Sequence, residues 1–237
     1  MQALIFDCDG VLVDTERDGH RVSFNEAFAE LGIDCHWTVE RYGELLLTAG
    51  GKERMRRHFD ETGWPEGHLD RNALIARIHK LKTEIFMRLI RDGSLPLRPG
   101  IARIVDEAIA NGIALAVCST SNEKAVQAVV DVMLGADRSK RISVFAGDVV
   151  AAKKPAPDIY DLAARTLKLA PENCVVIEDS NNGLRAAKAA GMRCIVTVSS
   201  YTGGEDFSAA DRIVDDFDLG KVDIALCRKV AEAPVSA

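Results

Sequence analysis

The chain has 237 residues, 47% of them hydrophobic and 28% charged, enough to bury a sizeable core in one large domain or in one domain carrying an insertion. A formal net charge of −6 argues against nucleic acid or an anionic membrane as partner, so an anionic ligand needs a local cluster of cations. No apolar run reaches the roughly 18 residues of a membrane span, no export signal leads the first strand-like run, and the six scattered cysteines show no disulfide or zinc spacing.

In chain order, Ala3 to Phe6 reads as a buried strand, followed by the acidic turn Asp7-Cys8-Asp9-Gly10 and another short apolar stretch. From about Thr15 to Leu95 the pattern becomes helical. Phe24, Ala27, Phe28 and Leu31 make one stripe there, and a second helix is predicted over 51–62. A third is predicted over 71–90, with Leu74, Ile78, Leu81, Ile85 and Leu89 as its apolar face. The prolines of Leu95-Pro96-Leu97-Arg98-Pro99-Gly100 end this texture.

Beyond them, helices over 100–110, 122–133 and 183–190, and one after Lys154-Pro155-Ala156-Pro157-Asp158, alternate with strands. The strands are expected over 113–119, near Val144, from Cys174, over 194–198 and at 210–214. Short β-branched runs between helices predict a parallel sheet covered on both faces. The expected fold is α/β: a doubly wound, Rossmann-like core from residues 1–14 and 96–237, with an all-helical module over 15–95. Residues 231–237 are expected to fray.

Three predicted strands end in polar residues: Asp7 and Asp9, Ser119, and Glu178 with Asp179; Lys154 lies in the loop after a fourth. Open α/β sheets bind ligands beyond the carboxyl ends of their strands. Asp7 and Asp9, two apart on a strand, would point the same way and repel unless a cation lies near. With Asp179 they make an all-oxygen site that suits Mg²⁺, and Lys154 balances remaining charge. Each residue alone has a plainer reading. Asp7 and Asp9 suit an Asx turn before Gly10, Asp179 suits the N-cap of the next helix, and Lys154 suits a solvated surface.

Four segments in order, DCDGVLVDTE from Asp7, the CST ending at Thr120, AAKKPAPDIY and VVIEDSNNGLRAAKAAG, resemble the motifs of the haloacid dehalogenase superfamily. DTERDGHRVSFNEAF, AGGKER and HKLKTEIF look most like its β-phosphoglucomutase-like group, and within it the CbbY-type sugar-bisphosphate phosphatases of carbon fixation. The resemblance implies a helical cap over 15–95 and hydrolysis through an aspartyl phosphate. Asp7 would be the nucleophile and Asp9 the general acid and base. Mg²⁺ would be held by the Asp7 carboxylate, the Asp9 carbonyl and Asp179, with Glu178 close behind.

Ser119, the Thr120 N–H and Lys154 would contact the phosphoryl group. Gly50 and Gly51 open a helix whose first residues include Lys52 and Arg54, a plausible anion pocket. Lys82, on a second cap helix beside His79 and Lys80, joins them as a substrate contact; Arg56 and Arg57 read as a solvated basic face. Glu16 and His20 would line the entrance, Glu16 accepting sugar hydroxyls or serving a hinge. Mutases of the group carry a histidine where this chain has Gly19, with His20 one place later.

The expected substrate is a small phosphorylated sugar, with xylulose-1,5-bisphosphate giving xylulose 5-phosphate. A phosphomutase is the alternative, and a non-enzymatic sugar-phosphate sensor the third reading. A cytoplasmic monomer, without nucleic-acid or membrane partner, completes the expectation.

Overall fold

Every residue of β1 (Ala3–Phe6) is fully buried, as the unbroken apolar run of a strand covered on both faces requires. The computed structural model describes residues 1–48, 50–67 and 70–233. The chain divides into an α/β unit, Met1–Asp14 with Pro96–Ala237, and a helical unit, Thr15–Leu95.

The helical unit opens with a π-helical turn, Thr15–His20, followed by α1 (Arg21–Glu30), α2 (Val39–Leu46), α3 (Gly51–Thr62) and α4 (Arg71–Arg91). Its core is aromatic: the Trp37 ring lies 4.7 Å from Phe24 and 5.1 Å from Phe28. The stripe predicted on α1 is buried at Phe24, Ala27 and Phe28. On α4 the buried face is turned from the predicted one. Ile75, Lys82, Phe86 and Ile90 join Leu74, Ile78 and Ile85, while Leu81 and Leu89 are only half-buried. Spacings of three and four support two adjoining stripes on α4, and the one chosen carries a lysine. Helix α2, not separated in the sequence reading, is started by Thr38, whose hydroxyl accepts from the Arg41 N–H at 3.1 Å.

The α/β unit continues with α5 (Ile101–Ala110), β2 (Ala114–Ser119), α6 (Glu123–Met133), α7 (Ala136–Ser139) and β3 (Ile142–Ala146). Then follow α8 (Asp158–Leu167), β4 (Cys174–Glu178), α9 (Asn181–Ala189), β5 (Arg193–Thr197), β6 (Arg212–Val214) and α10 (Ile224–Glu232). The strands form one parallel sheet in the order β3-β2-β1-β4-β5-β6. This is the doubly wound, Rossmann-like arrangement expected. Alternate strand residues, Ala3, Ile5, Ala116, Cys118, Val176 and Cys194, pack on one face against Ile159 and Tyr160 of α8 and Leu184 and Ala187 of α9. On the other side α5 and α10 pack together and against β2 and β4.

Two expectations change at helix ends. Helix α9 starts before the predicted position because Ser180 caps it, accepting from the Gly183 N–H at 3.1 Å. Helix α10 was not anticipated; its apolar positions Ile224, Cys227 and Val230 recur every third residue. It includes Ala231 and Glu232 of the tail expected to fray, while 234–237 lie outside the described residues. Among the described residues no helix is long and apolar enough to cross a membrane. All six cysteines are free thiols, Cys35 half-buried and the rest buried.

Register fixes what meets at the carboxyl edge of the sheet. Phe6 pairs with Val117 and Ile177, so the next residue, Asp7, lies level with Cys118 and Glu178. The Asp7 N–H closes this edge by donating to the Ile177 carbonyl at 2.9 Å. Arg98 braces the same edge. Its guanidinium donates to the carbonyls of Gly10, Thr197 (3.2 Å), Val198 (2.7 Å) and Asp215 (2.7 Å), tying the β1 loop to the ends of β5 and β6. Arg98→Ala strands these carbonyls and is expected to cost about 3 kcal/mol. Thermal denaturation should show the loss as a fall of roughly 6–12 °C.

Candidate active site

Four charged side chains converge where β1 and β4 end. The Lys154 ammonium donates to Asp7 Oδ1 at 2.7 Å, Glu178 Oε1 at 2.6 Å and the Cys118 carbonyl at 2.8 Å. These three contacts use all its donors. Asp7, Glu178 and Asp179 each bring a carboxylate oxygen within 4.8 Å of the others, the only such acidic or metal-ligating group among the described residues. Asp7 and Asp179 are 8% exposed and Glu178 is completely buried.

Two glycines make room for this crowding. A Cβ on Gly183 would come within 1.9 Å of the Glu178 carboxyl carbon. One on Gly10, whose φ is +78°, would come within 2.0 Å of Asp179 Oδ2.

Burial pushes the Asp7 carboxyl up to about 7; Lys154 opposes this, while Glu178 and Asp9 add to it. Asp179 is also raised well above the carboxylate range, by burial and then by Asp7 and Glu178. Burial works against the Lys154 charge too, but Asp7 and Glu178 overcome it and hold the ammonium above its ordinary range. Three buried acids thus meet one lysine, which pairs with only two of them, Asp7 and Glu178. A divalent cation fits this imbalance, and the donors are hard oxygens of the kind Mg²⁺ takes.

Asp9 stands apart from this acid group. The expectation that Asp7 and Asp9 share a strand face is corrected: β1 ends at Phe6, and the chain turns, with Leu12 N–H on the Cys8 carbonyl at 2.9 Å. The Asp9 carboxylate accepts instead from Ser121 Oγ at 2.5 Å. Ser119 closes β2 almost fully buried, its Oγ accepting from the Ser121 N–H at 3.1 Å. The Thr120 carbonyl receives the Lys153 ammonium at 3.4 Å. Asp179 is not an N-cap, since Ser180 fills that role, and Lys154 is buried rather than solvated.

The helical unit gathers most of the other candidates. Tyr42 donates to Glu16 Oε2 at 2.5 Å, and Arg54 Nη1 donates to the Tyr42 hydroxyl at 3.1 Å and lies 3.6 Å from Glu16. Lys82, 8% exposed, lies 2.9 Å from His20 Nδ1, with its ammonium 5.1 and 5.2 Å from the ring centres of Phe24 and Phe86. Burial, then Lys82 and Arg54, holds His20 well below its usual range, so its neutral Nδ1 accepts from the lysine. Burial brings Lys82 down to about 8, with Glu16 resisting and Arg54 adding.

At the start of α3, Gly50 takes φ +90° before Gly51, and Lys52 is exposed. Arg54, half-buried in the same helix, places its Nε on the Thr48 carbonyl at 3.0 Å. Ala49, between Thr48 and Gly50, lies outside the described residues. Arg57 pairs with Glu61 at 2.8 Å, as a surface arginine would. Ser121, Tyr42 and Tyr160, which donates to Glu178, were not among the sequence candidates. Only Tyr160, six residues after Lys154 and two after the start of α8, sat in a segment already singled out.

A family model for haloacid dehalogenase-like hydrolases matches residues 1–191. The chain belongs to this family. The hydrolase is 56% identical over 232 residues to a CBBY-like protein of Arabidopsis thaliana, covering 95% of this chain and 73% of the relative. It is 48% identical over 218 residues to protein CbbY of Cereibacter sphaeroides, covering 92% and 93% of the two chains. A crystal structure of a CbbY mutant from Rhodobacter sphaeroides, in complex with xylulose-1,5-bisphosphate, superimposes with a TM-score of 0.72 at 45% identity, covering 94% of this chain and 100% of that one. The hydrolase is accordingly a phosphatase of the CbbY kind.

Proposed function

We propose that this phosphatase is Mg²⁺-dependent and converts xylulose-1,5-bisphosphate to xylulose 5-phosphate and inorganic phosphate. The observation that carries the reading is Lys154 holding Asp7 beside Glu178 and Asp179, in a relative of a protein crystallised with that bisphosphate. Asp7, Glu178 and Asp179, with the Asp9 carbonyl, would hold Mg²⁺, which supplies positive charge against the phosphoryl oxygens.

Lys154 fixes one Asp7 oxygen, leaving the other to attack phosphorus. The bond from phosphorus to the sugar oxygen breaks as Asp9 protonates that oxygen, and the phosphoryl group passes to Asp7. Asp9, now a carboxylate, takes a proton from water. The water oxygen attacks phosphorus, the acyl phosphate bond breaks, and Asp7 is regenerated with release of phosphate. Ser119 and the Thr120 N–H would donate to the phosphoryl oxygens, and Lys154 would offset the charge of the aspartyl phosphate.

The helical unit, Thr15–Leu95, would act as the substrate-choosing cap, with Glu16 and His20 on the sugar and Gly50, Gly51, Lys52, Arg54 and Lys82 toward the second phosphate. With a chain charge of −6, such an anion depends on local cations. Purified protein with Mg²⁺ should release inorganic phosphate from the bisphosphate without any bisphosphate primer, and faster than from sugar monophosphates. An isomerised sugar phosphate without free phosphate would assign a phosphomutase instead.

Substituting Lys52, which is exposed, would tell the roles of the two phosphates apart. A charge-assisted contact contributes on the order of 1.5–3 kcal/mol, so Lys52→Ala should raise the KM for the bisphosphate roughly ten- to a hundred-fold. p-Nitrophenyl phosphate, which has no second phosphate, should be nearly unaffected. Equal losses on both substrates would remove Lys52 from the phosphate site.

A further inference from the structure

Tyr160 is completely buried on α8 among Ile5, Cys118, Ile159, Val176 and Leu184. Packing alone calls for a phenyl ring there, and the hydroxyl must earn its place through a partner. That partner is Glu178: Tyr160 donates to Oε1, the same oxygen that receives Lys154 at 2.6 Å. The second oxygen, Oε2, accepts from the Asp179 N–H at 3.2 Å. The Lys154 ammonium also lies 5.0 Å from the centre of the Tyr160 ring. One side chain therefore touches both the buried acid and the lysine shared with Asp7.

We infer that Tyr160 is a positioning residue: its hydroxyl and ring fix Glu178, and with it Lys154, in the arrangement that receives a divalent cation. The inference rests on reading Asp7, Glu178 and Asp179 as the cation site. With Tyr160→Phe the cavity stays filled, but Oε1 is held by Lys154 alone, and Lys154 is divided between Glu178 and Asp7. Glu178 then swings more freely, and the group must be reordered each time a cation binds.

The test is Mn²⁺ binding followed by the electron paramagnetic resonance of the free ion, without substrate. Tyr160→Phe should weaken binding roughly ten-fold, the scale seen when a hydrogen-bond partner of a metal ligand is removed. The Mg²⁺ concentration for half-maximal turnover should rise by a similar factor. At saturating Mg²⁺ the substrate KM should stay near that of the wild type. Unchanged Mn²⁺ affinity in Tyr160→Phe, with a lower Tm in EDTA, would reduce the residue to packing and overturn the inference. A wild-type protein that binds no Mn²⁺ would overturn the cation site itself, and the inference with it.

Discussion

Asp7→Asn is expected to lower turnover by about 10⁴-fold or more, because an amide oxygen fills the same space but cannot displace the sugar oxygen from phosphorus. The Lys154 ammonium still finds an oxygen to donate to, so the fold should persist. The metal-free variant should even gain stability, since one of three buried acids is neutralised where burial already pushes Asp7 up to about 7. Phosphate release and thermal melting in EDTA check the two halves separately. Residual turnover above about one part in a hundred, with deamidation excluded by mass spectrometry, would mean that another group takes the phosphoryl.

Chelation is the second large effect. EDTA should abolish turnover, and Mg²⁺ should restore it. Stability should change as well, with a sign set by the raised carboxyls. In the folded chain Asp7 and Asp179 hold protons at pH values where the unfolded chain has already lost them. Through Asp7 the folded state thus binds the extra proton from about pH 4 to about 7, and metal-free stability falls as pH rises through that window, with Asp179 acting in the same direction. A divalent cation occupies the site only when these acids are ionised. The Tm gained on adding Mg²⁺ should therefore be larger at pH 8 than at pH 5.5. A gain independent of pH would place the ion elsewhere.

The sheet was legible because strands buried on both faces are written as continuous apolar runs, and glycine or proline punctuation separates them from helices. Helix α4 shows where periodicity stops being sufficient: Lys82 occupies a buried position that any pattern of apolar residues skips. Its burial is made tolerable by His20, 62 residues away, and by two aromatic rings. The core charges were legible as residue types at strand ends, but their partition was not. Asp7 and Asp9 are two apart in sequence, yet one accepts from Lys154 and the other from Ser121. Those pairings span 147 and 112 residues and depend on strand register, which local composition does not encode. Tyr160 was hidden for another reason. A tyrosine at an apolar helix position packs like phenylalanine, and only its buried partner tells the two apart.

Arg98 has a consequence for how the family's sequences vary. The hydrogen bonds described for its guanidinium go to main-chain carbonyls, at Gly10, Thr197, Val198 and Asp215. Every residue type carries such a carbonyl, so Thr197, Val198 and Asp215 can drift without weakening the brace, whereas Gly10 is fixed by its φ and its closeness to Asp179. An alignment of relatives should then show an arginine held constant while the residue types at Thr197, Val198 and Asp215 change beside it. Pairwise covariation would miss it, and a scan of single substitutions for folding yield would find it.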